Sequence, residues 1–441
     1  MKLNFWVLWT VITVLAFAAM ACSSSGGSSK TACGSDPEDV DDVPPSGEVL
    51  TAEQVLAKDP SVTKQAVLEW GWMFELSGPP QLQGFGEPTS DGVKLAVEEI
   101  NEAGGFQVGD TIYTINLVER DTQSDVSRTI AATTELVQDE NVCVIFGPAT
   151  LGEPEATQIT QQARVIHLCP CQQREQTALS SVEQAHGESQ WAFQTLLPFS
   201  LLIENGARNF IRDYPDLHSM AIICQNSETG RDICERTKTA YEGVGIDVVH
   251  DIIYFPVGTT DYSPFLTQLV SADPDYLFNF DDPLQTTTIV RQALELGVGR
   301  LHLVTVPANL VEALVGRELT VPVTAGAAPR QHFQPTSAEA GEFFERYKED
   351  KGGELPLAAF VSLFTYDYAY MLAGAMQIAG TVDDTTAIAK VYETLHYDGV
   401  AEDDLFFNSR HLAVHGTESC TVQTGEPIVC AHEPPPPEAA E

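Results

Sequence analysis

Apolar positions along this chain switch repeatedly between the period of a strand and that of a helix. Residues 66–74 read as a strand. Val93, Ala96, Val97 and Ile100 then fall at i, i+3, i+4 and i+7, the spacing of a helix with one buried stripe. Asn101 and Gly104-Gly105 end that helix, because glycine accepts the left-handed conformation a helix C-terminus wants. Tyr113, Ile115 and Leu117 alternate as the next strand, with Asp121 at its carboxyl end. Strand, helix and strand in this order are the building block of a parallel sheet. The pattern continues through helix 125–139, strand 142–146, helix 153–163 and strand 164–168.

A second series of the same kind follows residues 193–198. It comprises helix 201–213, strand 219–224, helix 230–243, strand 246–254, helix 262–271, strand 275–280, helix 285–296 and strand 301–306. Beyond Pro322 the spacing predicts helices near 337–350, 358–379 and 385–396, then β-rich sequence as far as Cys430. A short helix at 52–58 precedes the first strand. The halves match in architecture without a literal repeat. The expected fold class is α/β, with two Rossmann-like lobes on parallel sheets.

With 441 residues and 43% hydrophobic composition the chain can bury more than one core, since single cores stop growing at about 250–300 residues. Its 23 basic and 63 acidic side chains leave a net charge of −40, spread along the whole length. That argues against nucleic acid and anionic lipid as partners, because both are bound by clustered Lys and Arg. Lys2 precedes an almost unbroken apolar run over 5–21, so residues 1–21 read as a signal peptide. Ala19-Met20-Ala21 places small residues before Cys22, and SSSGGSSK follows it. Cys22 is therefore the expected lipid-bearing residue of an exported lipoprotein on the periplasmic face of a bacterial membrane. Ala19 stands where leucine is preferred, and Ala19-x-Ala21 would also serve an ordinary signal peptidase. Residues 22–65 are expected to carry the lipidated cysteine and a flexible tether, and 431–441 a disordered tail.

Export changes the meaning of the other cysteines, nine in the chain with Cys22 included. Cys224 and Cys234 bracket a strand-to-helix turn, and Cys420 and Cys430 bracket a hairpin; both pairs are expected to be disulfides. Cys33, Cys143, Cys169 and Cys171 stay unassigned. His167-Leu168-Cys169-Pro170-Cys171 has residues a metal accepts, but oxidised or buried thiols at a strand end suit the compartment better. No metal or other cofactor is expected. The sequence holds no G-x-S-x-G, H-E-x-x-H or phosphate-loop motif, so a binding protein is expected rather than an enzyme.

The wording AVEEINEAGG at 96–105, followed by a strand ending in Arg120-Asp121, closely resembles the first lobe of type I periplasmic solute-binding proteins. This is the family of the leucine/isoleucine/valine-binding proteins, and the resemblance runs over about residues 66–415. It implies two lobes joined by three crossings, near 196–200, 325–331 and 398–407. The first lobe would take 66–197 plus 328–400, and the second 198–327 plus 401–430.

In open parallel sheets ligands gather at the carboxyl ends of strands, and the resemblance implies four such loops. Leu76-Ser77-Gly78-Pro79 matches the family's SGP-containing loop and brings in Ser77, with Gln83 where some members place a tyrosine against the ligand. Thr150, in the loop 147–152, matches a serine whose hydroxyl and N–H hold a ligand carboxylate. Cys169-Pro170-Cys171-Gln172-Gln173 takes the place of an S-P-A-A-T segment. Cys171 and Gln173 then fall at contact positions, and the bulky Gln172 and Gln173 shrink the cleft or change its hydrogen-bond preference. Phe280 matches a tyrosine that covers the ligand, and Asp281 beside it either serves the ligand or caps the next helix. After strand 301–306, amino-acid-binding members supply an acid for the ligand's ammonium; here the loop reads on to Asn309 with no acid until Glu312. A buried ammonium without a counter-charge is costly. Either Asp281 or Asp282 takes over, or the ligand is not an α-amino acid.

The resemblance implies extracytoplasmic binding of a small polar solute (an amino acid, an amide or a relative) between closing lobes, for delivery to ABC permease subunits. The alternative is a sensing or scaffold lipoprotein of the same fold with no transport role. Intact-mass analysis of the membrane fraction is expected to find diacylglycerol on Cys22. A soluble product beginning at Cys22 with a free thiol would contradict the anchor.

Overall fold

The computed structural model describes residues 33–34, 49–140, 142–149, 151–170, 191–196, 199–281, 283–304, 315, 323–327, 338–356, 358–409, 411–422 and 429–433. β1 (Val49–Thr51) leads into α1 (Ala52–Leu56), whose first turn is closed by a capping box between Thr51 and Gln54. β2 (Lys64–Phe74), α2 (Pro80–Glu102), β3 (Phe106–Val108), β4 (Thr111–Asp121), α3 (Val126–Gln138), β5 (Val144–Phe146), α4 (Glu153–Gln162), β6 (Ile166–Cys169) and β7 (Ala192–Gln194) follow. The strands form one sheet in the order β3-β4-β2-β5-β6-β7. β2 and β4 pair in parallel from Lys64↔Thr111 to Phe74↔Asp121, and only β3 runs antiparallel. The chain builds outward from β2 to one side and then to the other, so β2 is the switch point of this sheet.

The second sheet is built from α5 (Phe199–Asp213), β8 (Ser219–Gln225), α6 (Glu228–Gly243), β9 (Asp247–Val248), β10 (Ile253–Phe255), α7 (Ser263–Leu266), β11 (Tyr276–Phe280), α8 (Pro283–Leu296), β12 (Leu301–Val304) and β13 (Val323–Ala327). β17 (Thr417–Val422) and β18 (Val429–Glu433) extend it antiparallel, giving the order β10-β8-β11-β12-β13-β17-β18 with β9 beside β8. β8 lies between β10 and β11 and is the corresponding switch strand. Alternate residues face two separate cores. Met220, Ile222, Tyr276 and Phe278 belong to one, and Ala221, Ile223 and Leu277 to the other.

Between β13 and β17 the chain returns to the first sheet. α9 (Ala338–Asp350), α10 (Phe360–Ala379) and α11 (Thr385–Tyr392) come first, then β14 (His396–Asp398), β15 (Phe406–Phe407) and β16 (Ala413–Val414). α10 is buried along nearly its whole length and lies against α2. Thr365 donates to the carbonyl of Thr89, and the Tyr366 hydroxyl donates to Glu99 at 2.6 Å. The two backbones meet at Gly92, where a Cβ would sit 2.1 Å from the Ser362 carbonyl, so only glycine fits. Tyr347 on α9 donates to Asp91, which also pairs with Lys351 at 2.7 Å. β14 pairs with β1, and Asp367 of α10 accepts from the N–H groups of Val400 and Ala401 as the chain leaves for the second sheet. Phe407 and Ala413 pack into the first core, and Val414 already belongs to the second.

Several elements differ from their sequence-based boundaries. α2 begins at Pro80 instead of about residue 90, so Gly84-Phe85-Gly86 lies within it. Pro80 suits the first turn, where no N–H partner is needed. Pro88 inside the helix gives up a bond, and Thr89 and Ser90 nearby turn their hydroxyls onto the carbonyls of Phe85 and Glu87. The expected strand 246–254 is two short strands, β9 and β10, and the expected helix 262–271 is one short α-turn continued by a 3₁₀ segment, Thr267–Ala272.

The cysteines settle into defined places. Cys224 and Cys234 are joined, linking the end of β8 to α6 as expected. Cys420 is disulfide-bonded and stands directly across the β17–β18 ladder from Cys430. Cys169 is also disulfide-bonded, which removes it as a metal ligand. Cys33 bonds to Cys143, and the N–H of Gly34 donates to the Asp383 carbonyl. Part of the span 22–65, expected as tether, is therefore structured: Cys33 is stapled to the first sheet, and β1 and α1 pack onto it. A chain cross-link closing so long a loop restricts the unfolded ensemble strongly. The double variant Cys33→Ala/Cys143→Ala is expected to lose roughly 2–4 kcal/mol of stability, with a chain-entropy ceiling near ~5 kcal/mol. Urea unfolding of both proteins measures it, and equal midpoints and slopes would refute it.

Candidate functional site

At the carboxyl end of β2 the chain turns through Glu75 to Pro79, and at that of β5 the described residues are 147–149 and 151–152. Asp121, the last residue of β4, organises the first turn. Its carboxylate accepts from the N–H groups of Leu76, Ser77 and Gln123 and from the Ser77 hydroxyl at 2.7 Å. Burial opposes its ionisation, but the Ser77 hydroxyl and these N–H groups outweigh that and hold its carboxyl below the usual carboxylate range. Ser77 has thus committed its hydroxyl hydrogen to Asp121. Gln83, one turn into α2, donates its amide to the Leu76 carbonyl at 3.1 Å, tying the helix back to the same turn.

Glu75 is fully buried and joins the two loops. Its carboxylate accepts from Ala149 N and Leu151 N, each at 3.1 Å, on either side of residue 150. The loop leaves β5 through Gly147 at φ +86°, where a Cβ would fall 1.8 Å from the Met73 carbonyl. The Gly147 carbonyl lies 2.7 Å from Nε2 of His167 on β6, and Nδ1 of that ring lies 3.1 Å from the Thr157 hydroxyl. Burial pushes the imidazole down to about 4, and the Gly147 bond offsets only part of this. A neutral His167 therefore donates from Nε2 to the Gly147 carbonyl, and its bare Nδ1 lies beside the Thr157 hydroxyl, which also faces Glu153 Oε1 at 3.0 Å. Thr129 of α3 donates to the Leu151 carbonyl, which pins the far side of the loop.

On the second sheet, Phe280 ends β11 half-buried, its ring packed against the core that contains Tyr276 and Phe278. Asp281 follows it, almost fully buried. One carboxylate oxygen accepts from Gln225 Nε2 at 2.6 Å and the other from the Tyr262 hydroxyl at 2.9 Å. Its carbonyl accepts from Thr286 in the first turn of α8. Thr150, Cys171, Gln172, Gln173 and Asn309 lie outside the described residues. The structure thus brings Ser77 and Gln83 together around one turn and sets Phe280 and Asp281 side by side on the other sheet. It adds Glu75, Asp121 and Gln225, which sequence reasoning did not single out as site residues. A lone acid or amide closing an apolar strand, as in Phe74-Glu75 and Cys224-Gln225, is the signal that could have found two of them. Among the described residues no group of His, Cys, Asp and Glu is arranged to hold a metal.

Two open, largely parallel sheets, each with polar side chains fixed at the carboxyl end of its switch strand, define a two-lobed ligand-binding protein. The chain belongs to the periplasmic binding protein family, whose model matches residues 69–426. It is accordingly a solute-binding protein acting outside the cytoplasm, of a class that binds rather than catalyses. Leu/Ile/Val-binding protein homolog 7 of Brucella abortus is 27% identical over 329 residues, 70% of this chain and 77% of that protein. The fold also matches LivJ of Streptococcus pneumoniae in complex with isoleucine, at TM-score 0.67 and 21% identity, covering 83% of this chain and 100% of that one. A solute binding protein from R. palustris in complex with benzoate matches at TM-score 0.67 and 16% identity, covering 85% and 99%. Among the described residues no helix is long and apolar enough to cross a membrane.

Glu75→Gln is expected to loosen the loop 147–152. A glutamine has one acceptor oxygen where the carboxylate has two, so either Ala149 N or Leu151 N loses its partner. An unsatisfied buried N–H costs about 1–3 kcal/mol. Faster amide hydrogen exchange at 149 or 151, with the rest of the sheet unchanged, is the outcome to look for, and unchanged protection at both would refute it.

Proposed function

We propose that this protein captures a small polar solute, an amino acid, amide or close relative, in a cleft between its lobes and delivers it to ABC permease subunits. The observation that carries this reading is the pair of switch strands. β2 and β8 each end where carboxylates fix polar groups: the buried Glu75 and the half-buried Asp121 take loop N–H groups on one sheet, and the buried Asp281 takes the Gln225 amide on the other. Fixed loops at strand ends suit a preformed half-site, and a chain that passes from the first core at Ala413 to the second at Val414 suits hinge closure of one half onto the other. The proteins of similar fold that hold isoleucine and benzoate support a small organic ligand. Export with a lipid on Cys22 would keep the protein at a membrane facing the periplasm.

In this reading Thr150 and Gln173 hold the solute on the first lobe, with Ser77, Gln83, Cys171 and Gln172 around them. Phe280 covers it from the second lobe beside Asp281 and Asn309. A thermal-shift screen of amino acids, amides and small carboxylates identifies the solute. With it, Thr150→Val is expected to weaken binding roughly ten- to hundredfold, the cost of about 1.5–3 kcal/mol for losing a hydrogen bond to a charged group. Phe280→Ala should weaken it through lost packing. Calorimetry showing wild-type affinity in both variants, with the fold intact, would place the site elsewhere.

A further inference from the structure

Gln225 is the last residue of β8, at the switch point of the second sheet, and its amide is held in one orientation. Nε2 donates to Asp281 Oδ1 at 2.6 Å. A carboxylate oxygen at that distance accepts, so the nitrogen and not the oxygen of the amide must face it. The Tyr262 hydroxyl faces two acceptors, the Thr259 carbonyl at 2.7 Å and Asp281 Oδ2 at 2.9 Å. Whichever of the two takes the Tyr262 hydrogen, Oδ1 accepts and the amide stays as it is. The neighbouring groups are committed elsewhere. Asn226 donates its N–H to the Phe255 carbonyl and accepts from Arg231, and Ser227 caps α6 through Gly230 N. Gln225 itself is half-buried, and its remaining polar atom, Oε1, takes no part in these bonds and is left to accept.

We infer that Gln225 is the selectivity residue of the second lobe, presenting a fixed carbonyl oxygen that accepts from an N–H group of the solute. This rests on the solute-binding reading above and narrows it to ammonium- or amide-bearing ligands, against carboxylates that offer acceptors alone. Asp281 acts through Gln225: it sets which end of the amide is shown. An acceptor covered by an acceptor-only ligand leaves both groups without partners, and that penalty is the basis of the discrimination.

The test uses matched probes on the full chain: isoleucinamide with isoleucine, benzamide with benzoate, and isobutyramide with isobutyrate. Binding is read by calorimetry and by thermal shift. Wild type is expected to bind at least one N–H-bearing probe and to prefer each of the two amides over its matched acid. Gln225→Leu should weaken the bound N–H probe roughly tenfold. Asp281→Asn frees the amide to turn over and should narrow the amide-to-acid ratio, a change that general loosening of the lobe would not produce. Benzoate or isobutyrate binding wild type as tightly as its amide would overturn the inference. So would an unchanged affinity and ratio in Gln225→Leu. Either result leaves solute binding standing. Failure of every probe and of the wider amino-acid and amide screen would remove the solute-binding reading and this inference together.

Discussion

The close approach of α2 and α10 at Gly92 is the constraint from which the rest of the architecture follows. The two helices lie almost backbone to backbone, and α10 begins at Phe360, far along the chain from α2. The first sheet therefore cannot complete its core from its own contiguous segment. The chain must leave, build the second sheet, and come back to supply α9, α10 and α11. A second lobe connected through more than one strand is the consequence. Buried apolar surface drives this return, since α10 is covered on nearly every side.

The strand ends share one chemical device. At each of them a carboxylate, buried in Glu75 and Asp281 and half-buried in Asp121, takes backbone or amide hydrogens. Glu75 takes two N–H groups of one loop, Asp121 takes those of the other, and Asp281 takes the amide of Gln225. An acid used this way is spent on geometry. Its charge-assisted hydrogen bonds stiffen the loop, and stiff loops lose less entropy when a ligand arrives.

Much of this was legible in the sequence and some was not, for identifiable reasons. The alternating periods that marked β2, α2 and β4 come from burial on one face or two, which a single segment reveals by itself. The start of α2 was hidden because Pro88 and the glycines before it look like a break, whereas the helix runs through them from Pro80. The Cys33–Cys143 bond joins residues that only the folded sheet brings near each other. Cys224 and Cys234 were readable because their separation is local. Gln225 and Glu75 belong to no motif. Their importance depends on which strands become neighbours, and periodicity does not encode strand order. The family wording at 96–105 did encode it, indirectly, by pointing to a known topology.

The Cys33–Cys143 bond also decides how mechanical load would travel. Residue 143 precedes β5, so the staple grips the sheet at the amino-terminal edge of its strands, while 147–152 lies at the opposite, carboxyl-terminal edge. Tension applied through the N-terminal arm would enter the first lobe at residue 143 through a covalent bond. It would bypass β1 and the exposed start of β2, and it would act on the edge of the sheet farthest from the loops held by Glu75.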